Sequence, residues 1–388
     1  MLKIKVFKPL VILVLFAFSM QIHAQEKQKN WSLNGYVKDM QSILFTEVDS
    51  DWMNDNLIHN RLNFKWYVTK SLTLDVEMRN RFMFGDFVKY IPGYAKIVDN
   101  EQGFIDMSGL IFSEKSFLLH STIDRAWIDY TKGKFQVRIG RQRINWSQTF
   151  AWNPNDFFNT YSFFDFDYEE KPGSDAVKIV YYTGMTSQLE VAVKADYKDR
   201  LTAAAMYRFN KWGYDFQFIG GVFESDDIVI GGGWSGQLFK GGLRGEFSIF
   251  QPIQGTSSSN PALLVSAGYD YTFKNSLMFQ TEVLYNLNGK EDGDFDLNEF
   301  YFMDLSAKNL SLTKWSFMGM LAYPITPLMN GSVSAMYSPN DKSFFVGPTI
   351  SYSLAENLDF SLVAQSFFSD AAMGGKGTFV FLRIKKSF

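Results

Sequence analysis

Five carboxylates crowd one polar stretch of this 388-residue chain. Asp156, Asp165, Asp167, Glu169 and Glu170 fall within residues 147–173, where Lys171 is the lone base. The segments before it carry Arg61, Lys65, Arg79, Arg81, Arg125 and Arg138 on their polar faces. An acidic loop set against a basic wall would put a transverse field across a constriction. Such a field selects and orients permeating ions and dipoles. The acidic side is therefore expected at those five residues, and the basic side at Arg79, Arg81, Arg125, Arg138 and Arg141. The competing reading is a solvated loop over a lumen whose charges pair among themselves, the commoner fate of charge runs.

Arg141 and Arg143 share the parity of Phe135, Val137 and Ile139. Strict alternation would aim them at lipid, where a charge costs about 2–4 kcal/mol at the midplane and less near the interface. Either they lie above the hydrocarbon band, or Gly140 sits in a β-bulge that turns them inward. An isolated strand glycine often marks a bulge, which favours the second. Trp146 and Trp152 bracket the start of the acidic stretch. Packing of the loop is the expectation for them, and a sugar-stacking surface the alternative.

Other chemistry is thinly represented. The run Asp292-Gly293-Asp294-Phe295-Asp296-Leu297-Asn298-Glu299 spaces oxygen ligands as a hard cation would want. Its glycine is misplaced for an EF-hand loop, so an ordinary acidic loop is expected and no metal. Beyond residue 24 the histidines are His59 and His120, with Asp55 and Asp124 close in sequence. Neither a Gly-x-Ser-x-Gly elbow nor a His-Glu-x-x-His pair occurs, so neither enzyme activity nor a cofactor is expected.

These residues need a scaffold, and the chain supplies one by period-two patterning. Leu62, Phe64, Trp66 and Val68 oppose Arg61, Asn63 and Lys65, and Leu72, Leu74, Val76 and Met78 oppose Thr73, Asp75, Glu77, Arg79 and Arg81. The same rhythm recurs over 189–197, 201–208, 277–285, 343–352 and 358–365. Side chains alternate across a strand, so each segment has an apolar and a polar face. Charges on strand after strand indicate a wet lumen and disfavour a soluble sandwich with dry inner faces. Tight connections such as Thr69-Lys70-Ser71 and Thr131-Lys132-Gly133 alternate with longer ones at 41–56, 85–119, 147–173, 251–262, 287–306 and 368–376. Short periplasmic turns and long outer loops would give that asymmetry. Trp31, Trp66, Trp212, Trp234 and Trp315 fall near the expected strand ends, as interfacial girdles would.

The two ends of the chain agree with export. Lys3, Lys5 and Lys8 precede an uncharged apolar run, Leu10 to Met20, and Ala24 offers a cleavage site. This is a signal-peptide pattern, too short for a spanning helix. Cleavage there removes three lysines and leaves 35 basic against 41 acidic residues, a net charge of −6. Such a balance excludes a nucleic-acid footprint. The absence of cysteine excludes disulfides and a lipid-anchored lipoprotein. Beyond the signal no run of 18 apolar residues remains, yet aromatics reach 17%, which suits strands that show lipid every second residue.

Two stretches resemble known proteins. The last strand ends on an outward Phe388 and is similar to the assembly signal of bacterial outer-membrane barrels. The strand ending Gly140-Arg141-Gln142, the following Trp146, the Asn153-Pro154 loop and the return through Pro172-Gly173-Ser174-Asp175 resemble porin-like barrels, including alginate-export and phosphate-selective porin relatives and barrels of Bacteroidota. The resemblance implies an outer-membrane passage without a catalytic centre, whose third loop narrows the pore.

The expected chain is thus a signal peptide (1–24), a short polar leader (25–30) and one transmembrane antiparallel up-and-down β-barrel (31–388). It has about 18 strands, or 16 if one hairpin is miscounted. The expected function is passive diffusion of small polar or charged solutes through the Gram-negative outer membrane, with no cofactor. Lipid, the barrel assembly machinery and the solutes are its expected partners, and a homotrimer its usual assembly. The alternative is an exporter or receptor barrel handling polysaccharide or lipid with a periplasmic partner complex.

Overall fold

The alternating segments are realised as one closed sheet. The computed structural model describes residues 29–47, 49, 51–165, 167, 169–253, 260–296, 299, 303, 305–369 and 376–388. The expected signal peptide and most of the leader lie outside the described residues. The wall begins with β1 (Trp31–Phe45), β2 (Met53–Tyr67) and β3 (Leu72–Gly85). Two short helices follow, α1 (Asp86–Tyr90) and α2 (Tyr94–Val98), then a short strand β4 (Ser108–Ser113). The chain continues through β5 (Phe117–Lys132), β6 (Phe135–Gln142), β7 (Ser174–Tyr182), β8 (Gln188–Ala195) and β9 (Leu201–Lys211). Next come β10 (Tyr214–Phe223), β11 (Asp227–Leu238), β12 (Gly241–Pro252), β13 (Ala262–Thr272) and β14 (Met278–Asn286). The circuit returns through β15 (Trp315–Thr326), β16 (Met329–Ser338), β17 (Ser343–Ala355), β18 (Leu358–Phe368) and β19 (Gly377–Ser387).

Every wall strand pairs antiparallel with the next, β3 pairs with β5, and β19 closes on β1 with Tyr36 opposite Ser387. Eighteen strands complete the barrel, the expected number. β4 stands outside the count, paired with the outer half of β5. At the seam Phe388 donates its N–H to the Gly35 carbonyl at 3.0 Å and accepts from the Gly35 N–H at 3.1 Å. A Cβ on Gly35 would strike the Arg61 backbone carbonyl and come within 3.1 Å of the Phe388 ring, so a glycine here lets β1 lie close to β2 beside the terminal aromatic.

Outward faces are apolar as expected. Ile228 and Ile230 are 51% and 57% exposed, while Val229 between them is fully buried. Trp31 packs beside Phe64 near the periplasmic rim, and Phe82, Phe112 and Phe117 cluster near the outer one. Aromatics at both interfaces match the girdles of lipid-facing barrels.

The inner face differs from the wet lumen expected. Val229, Phe250, Leu264 and Leu284 point inward and are shut away from solvent. They are dry because residues 144–158 pack onto them, with Trp146, Phe157 and Phe158 in the same buried cluster. Parity alone does not distinguish an inner apolar residue covered by a loop from an outer one covered by lipid.

The wall is also lower on one side. β6 and β7 stop at Gln142 and Ser174, so their hairpin covers only the periplasmic half. Above it β4 pairs with Leu118–Thr122, and Gly103 bridges to Asp196 beyond β8. The second outer loop thus closes the breach.

Candidate functional site

The shortened hairpin sends residues 143–173 into the barrel. Gln142, fully buried, donates its side-chain amide to the carbonyls of Arg138 and Ala176, both at 3.1 Å. Arg141 is held by Asp175 at 2.8 Å, by Glu101 at 2.9 Å and by the Ile105 carbonyl at 2.6 Å. The pairings on both sides of Gly140 run without a register shift, so the bulge favoured from sequence is absent. Arg141 escapes lipid instead because segment 101–105 covers it. Gly140 still adopts φ +117, a conformation open to glycine.

From there the loop crosses to the far wall. Trp146 is buried, gives its indole N–H to Glu190 at 2.7 Å, and accepts from Gln217 at 2.6 Å through its carbonyl. It packs edge-on against Phe158 at 4.9 Å, the packing role expected. Two wall glutamates then grip the loop's backbone. Glu282 accepts the N–H groups of Phe150 at 2.8 Å, Ala151 at 3.1 Å and Trp152 at 2.8 Å. Glu246 accepts those of Thr149 and Asn155, both at 3.2 Å. Successive N–H groups converging on a carboxylate form strong, charge-assisted contacts. The chain then turns back at Pro154, whose carbonyl accepts from Ser248 at 2.8 Å.

The second half of the loop sweeps along the opposite wall. The Phe164 carbonyl accepts from Gln365 at 3.0 Å. Asp167 meets Lys38 of β1 at 2.5 Å and lies 3.9 Å from the buried His59. Glu169 meets Lys385 at 2.7 Å and Arg383 at 3.3 Å on β19. Glu170 accepts from the Tyr36 hydroxyl at 3.3 Å and approaches Arg61 at 3.5 Å. Arg125 anchors the exit by donating to the carbonyls of Glu170 and Lys171 at 2.8 and 2.6 Å.

The five loop acids therefore occupy three settings. Asp167, Glu169 and Glu170 face β19, β1 and β2. Asp156 is fully buried, 3.8 Å from Arg143, and burial pushes its carboxyl up to about 7 against the pull of Arg143 and Lys194. Asp165 borders a cavity between the loop and β15–β18. Burial alone would raise Glu169, but the hydrogen bond from Lys385 and the charges of Lys385 and Arg383 hold it below the usual carboxylate range. Burial also lowers the Lys171 ammonium, which sits 3.8 Å from the Tyr161 ring centre.

The five basic residues are dispersed. Arg79 and Arg81 line a second cavity of about 360 Å3 on the side of β3–β9. Arg125 serves the loop's exit and Arg141 the top of β6. Arg138 lies lower, 2.9 Å from Asp129 and 4.1 Å from the Trp127 ring centre. Of the cations that meet the loop acids, Arg61 and Arg143 stand out in the sequence, but Lys38, Arg383 and Lys385 do not, nor do Glu246 and Glu282. Arg383 and Lys385 stand on the polar parity of the last strand, which is the signal that could have found them.

His120 shares contacts with Arg81 at 3.0 Å and with Asp99 at 3.1 Å, so its carboxylate neighbour is Asp99 and not Asp124. Among the described residues no group of three or more acids and histidines is placed to hold a metal ion. Part of the 292–299 run lies outside the described residues.

No family model matches the chain, and no curated protein matches it. Solved structures do. OccAB4 of Acinetobacter baumannii superposes with TM-score 0.60 at 10% identity, covering 93% of this chain and 99% of that one. OpdQ of Pseudomonas aeruginosa gives 0.59 at 9% identity, over 93% and 99%. The outer membrane protein OpdK of the same organism gives 0.57 at 9% identity, over 92% and 98%. Such distant likeness speaks to architecture, and the chain shares the fold of these three proteins, its own being a closed eighteen-stranded antiparallel barrel.

Proposed function

We propose that this protein is a porin-like channel of the Gram-negative outer membrane through which small polar or charged solutes diffuse passively. The observation that carries it is the position of residues 143–173, inside a closed barrel and tied to both walls. A loop so fixed narrows the lumen without a cofactor or energy source. In this proposal the acids Asp156, Asp165, Asp167, Glu169 and Glu170 and the bases Arg79, Arg81, Arg125, Arg138 and Arg141 bias which ions pass, since charges in a narrow, low-dielectric passage focus the field. Export by a signal peptide cleaved after Ala24, recognition of Phe388 by the barrel assembly machinery, and assembly as a homotrimer complete the reading. Kinship with alginate-export and phosphate-selective porin relatives, suggested by Gly140-Arg141-Gln142 and the Asn153-Pro154 loop, belongs to it too.

Planar-bilayer recording tests the proposal. A steady current that scales with salt concentration is expected, and a silent barrel would favour an exporter or receptor instead. Replacing the five acids with their amides should move the reversal potential toward anion preference, and an unchanged potential would remove the acids from the selectivity filter.

A further inference from the structure

The cavity beside Asp165 has the wrong chemistry for a passage that handles only polar solutes. It measures about 350 Å3 and is walled by rings and aliphatic side chains. Phe164 of the inner loop stands 4.9 Å from Phe345 and 5.5 Å from Phe367, which are themselves 5.1 Å apart. Leu310 and Phe295 reach it from the outer loop after β14. Apolar surface of this extent around a cavity is where an apolar body binds, and the volume falls in the range of small-molecule sites.

Its polar groups narrow the choice. Hydroxyls of Ser311, Thr313, Ser316, Ser338 and Ser343 line it, and among the described lining residues the charged ones are Asp165 and Asp341. Among those described residues none is an arginine or a lysine. The cavity on the other side of the loop is of mixed sign, with Arg79, Arg81 and Lys194 on its walls beside Asp124, Asp196 and Glu224. The two are separated by Thr160 and Tyr161 of the loop and by Leu305. Aromatic faces attract cations and carboxylates repel anions, so a ring carrying an amine fits the apolar cavity and a ring carrying a carboxylate does not.

We propose that this cavity, framed by Phe164, Phe345 and Phe367 and bordered by Asp165 and Asp341, is a docking site for aromatic amines entering from outside the cell. It rests on the channel reading only for its role as a way-station; binding itself is independent of conduction.

Calorimetry on the full chain in detergent tests it, with phenethylamine as the ligand and with benzoate and ethanolamine as the anionic and ring-free controls. Phenethylamine should bind saturably, at least about tenfold more tightly than either control. Phe345→Ala should weaken it about tenfold by removing one ring of the triad. Ser338→Phe should abolish binding by filling the space, and retention of the heat-modifiable gel band shows that each variant is folded. Benzoate binding as tightly, or both variants binding like the parent, would overturn the site. Bilayer recording separates the two proposals. A silent barrel that still binds phenethylamine refutes the channel and keeps the site, whereas a conducting barrel that ignores it does the opposite.

Discussion

Asp156 shows what enclosure does to a single charge. Its carboxyl is sealed within the inner loop, and burial pushes it up to about 7 from an ordinary value of 3.8. A carboxyl raised in this way holds its proton more tightly in the folded chain. Its destabilising effect is full above pH 7, fades as the pH falls through that value, and is gone below about 4. Asp156→Asn should therefore be more stable than the parent at pH 8, by on the order of 2 kcal/mol, and the gap should have narrowed to about half or less by pH 5. Heat-modification midpoints at the two pH values check this, and a gap that stays constant with pH would contradict it. Glu282 is the contrasting case. It too is buried, yet three backbone N–H groups converge on it, where the cation nearest Asp156 stands 3.8 Å away.

At the scale of elements, the shortened β6–β7 hairpin and the loop above it depend on Arg141. Its guanidinium joins β6 to Asp175 of β7 and to Glu101 of the second outer loop. Removing one partner from a buried ionic cluster leaves the others uncompensated, at a cost of about 3–5 kcal/mol. Arg141→Met should lower the melting midpoint of the folded barrel accordingly and expose residues 99–106 to added protease. A midpoint within error of the parent would mean that β4 holds the breach closed without it. The strands themselves were legible in the sequence because lipid imposes a period of two on every one, as Leu189, Val191 and Val193 around Glu190 illustrate. β4 was not legible, because a six-residue strand inside a long polar connection has no hairpin partner of its own.

Over the whole molecule, the sequence made the inner loop visible as an acidic stretch but left its partners hidden. Asp167 and Lys38 are 129 residues apart, and Glu169 and Lys385 are 216 apart; no local pattern links them. The dry patch formed by Val229, Phe250, Leu264 and Leu284 was equally silent, since apolar residues of either parity read alike. These long-range contacts gather where the barrel closes. Asp167 holds β1, Glu169 holds β19, and those are the two strands that meet last along the chain. The double replacement Asp167→Asn with Glu169→Gln should slow acquisition of the heat-modifiable form during refolding into detergent more than it lowers the final melting midpoint. An unaltered rate would show that closure proceeds without the loop.

That placement gives the first and last strands a shared basting thread. A sheet of this size has to find its own opposite edge across a wide opening, and a segment from the middle of the chain already tacked to both hems would bring them within reach. The same stitch that narrows the finished passage would then have helped to sew the garment shut.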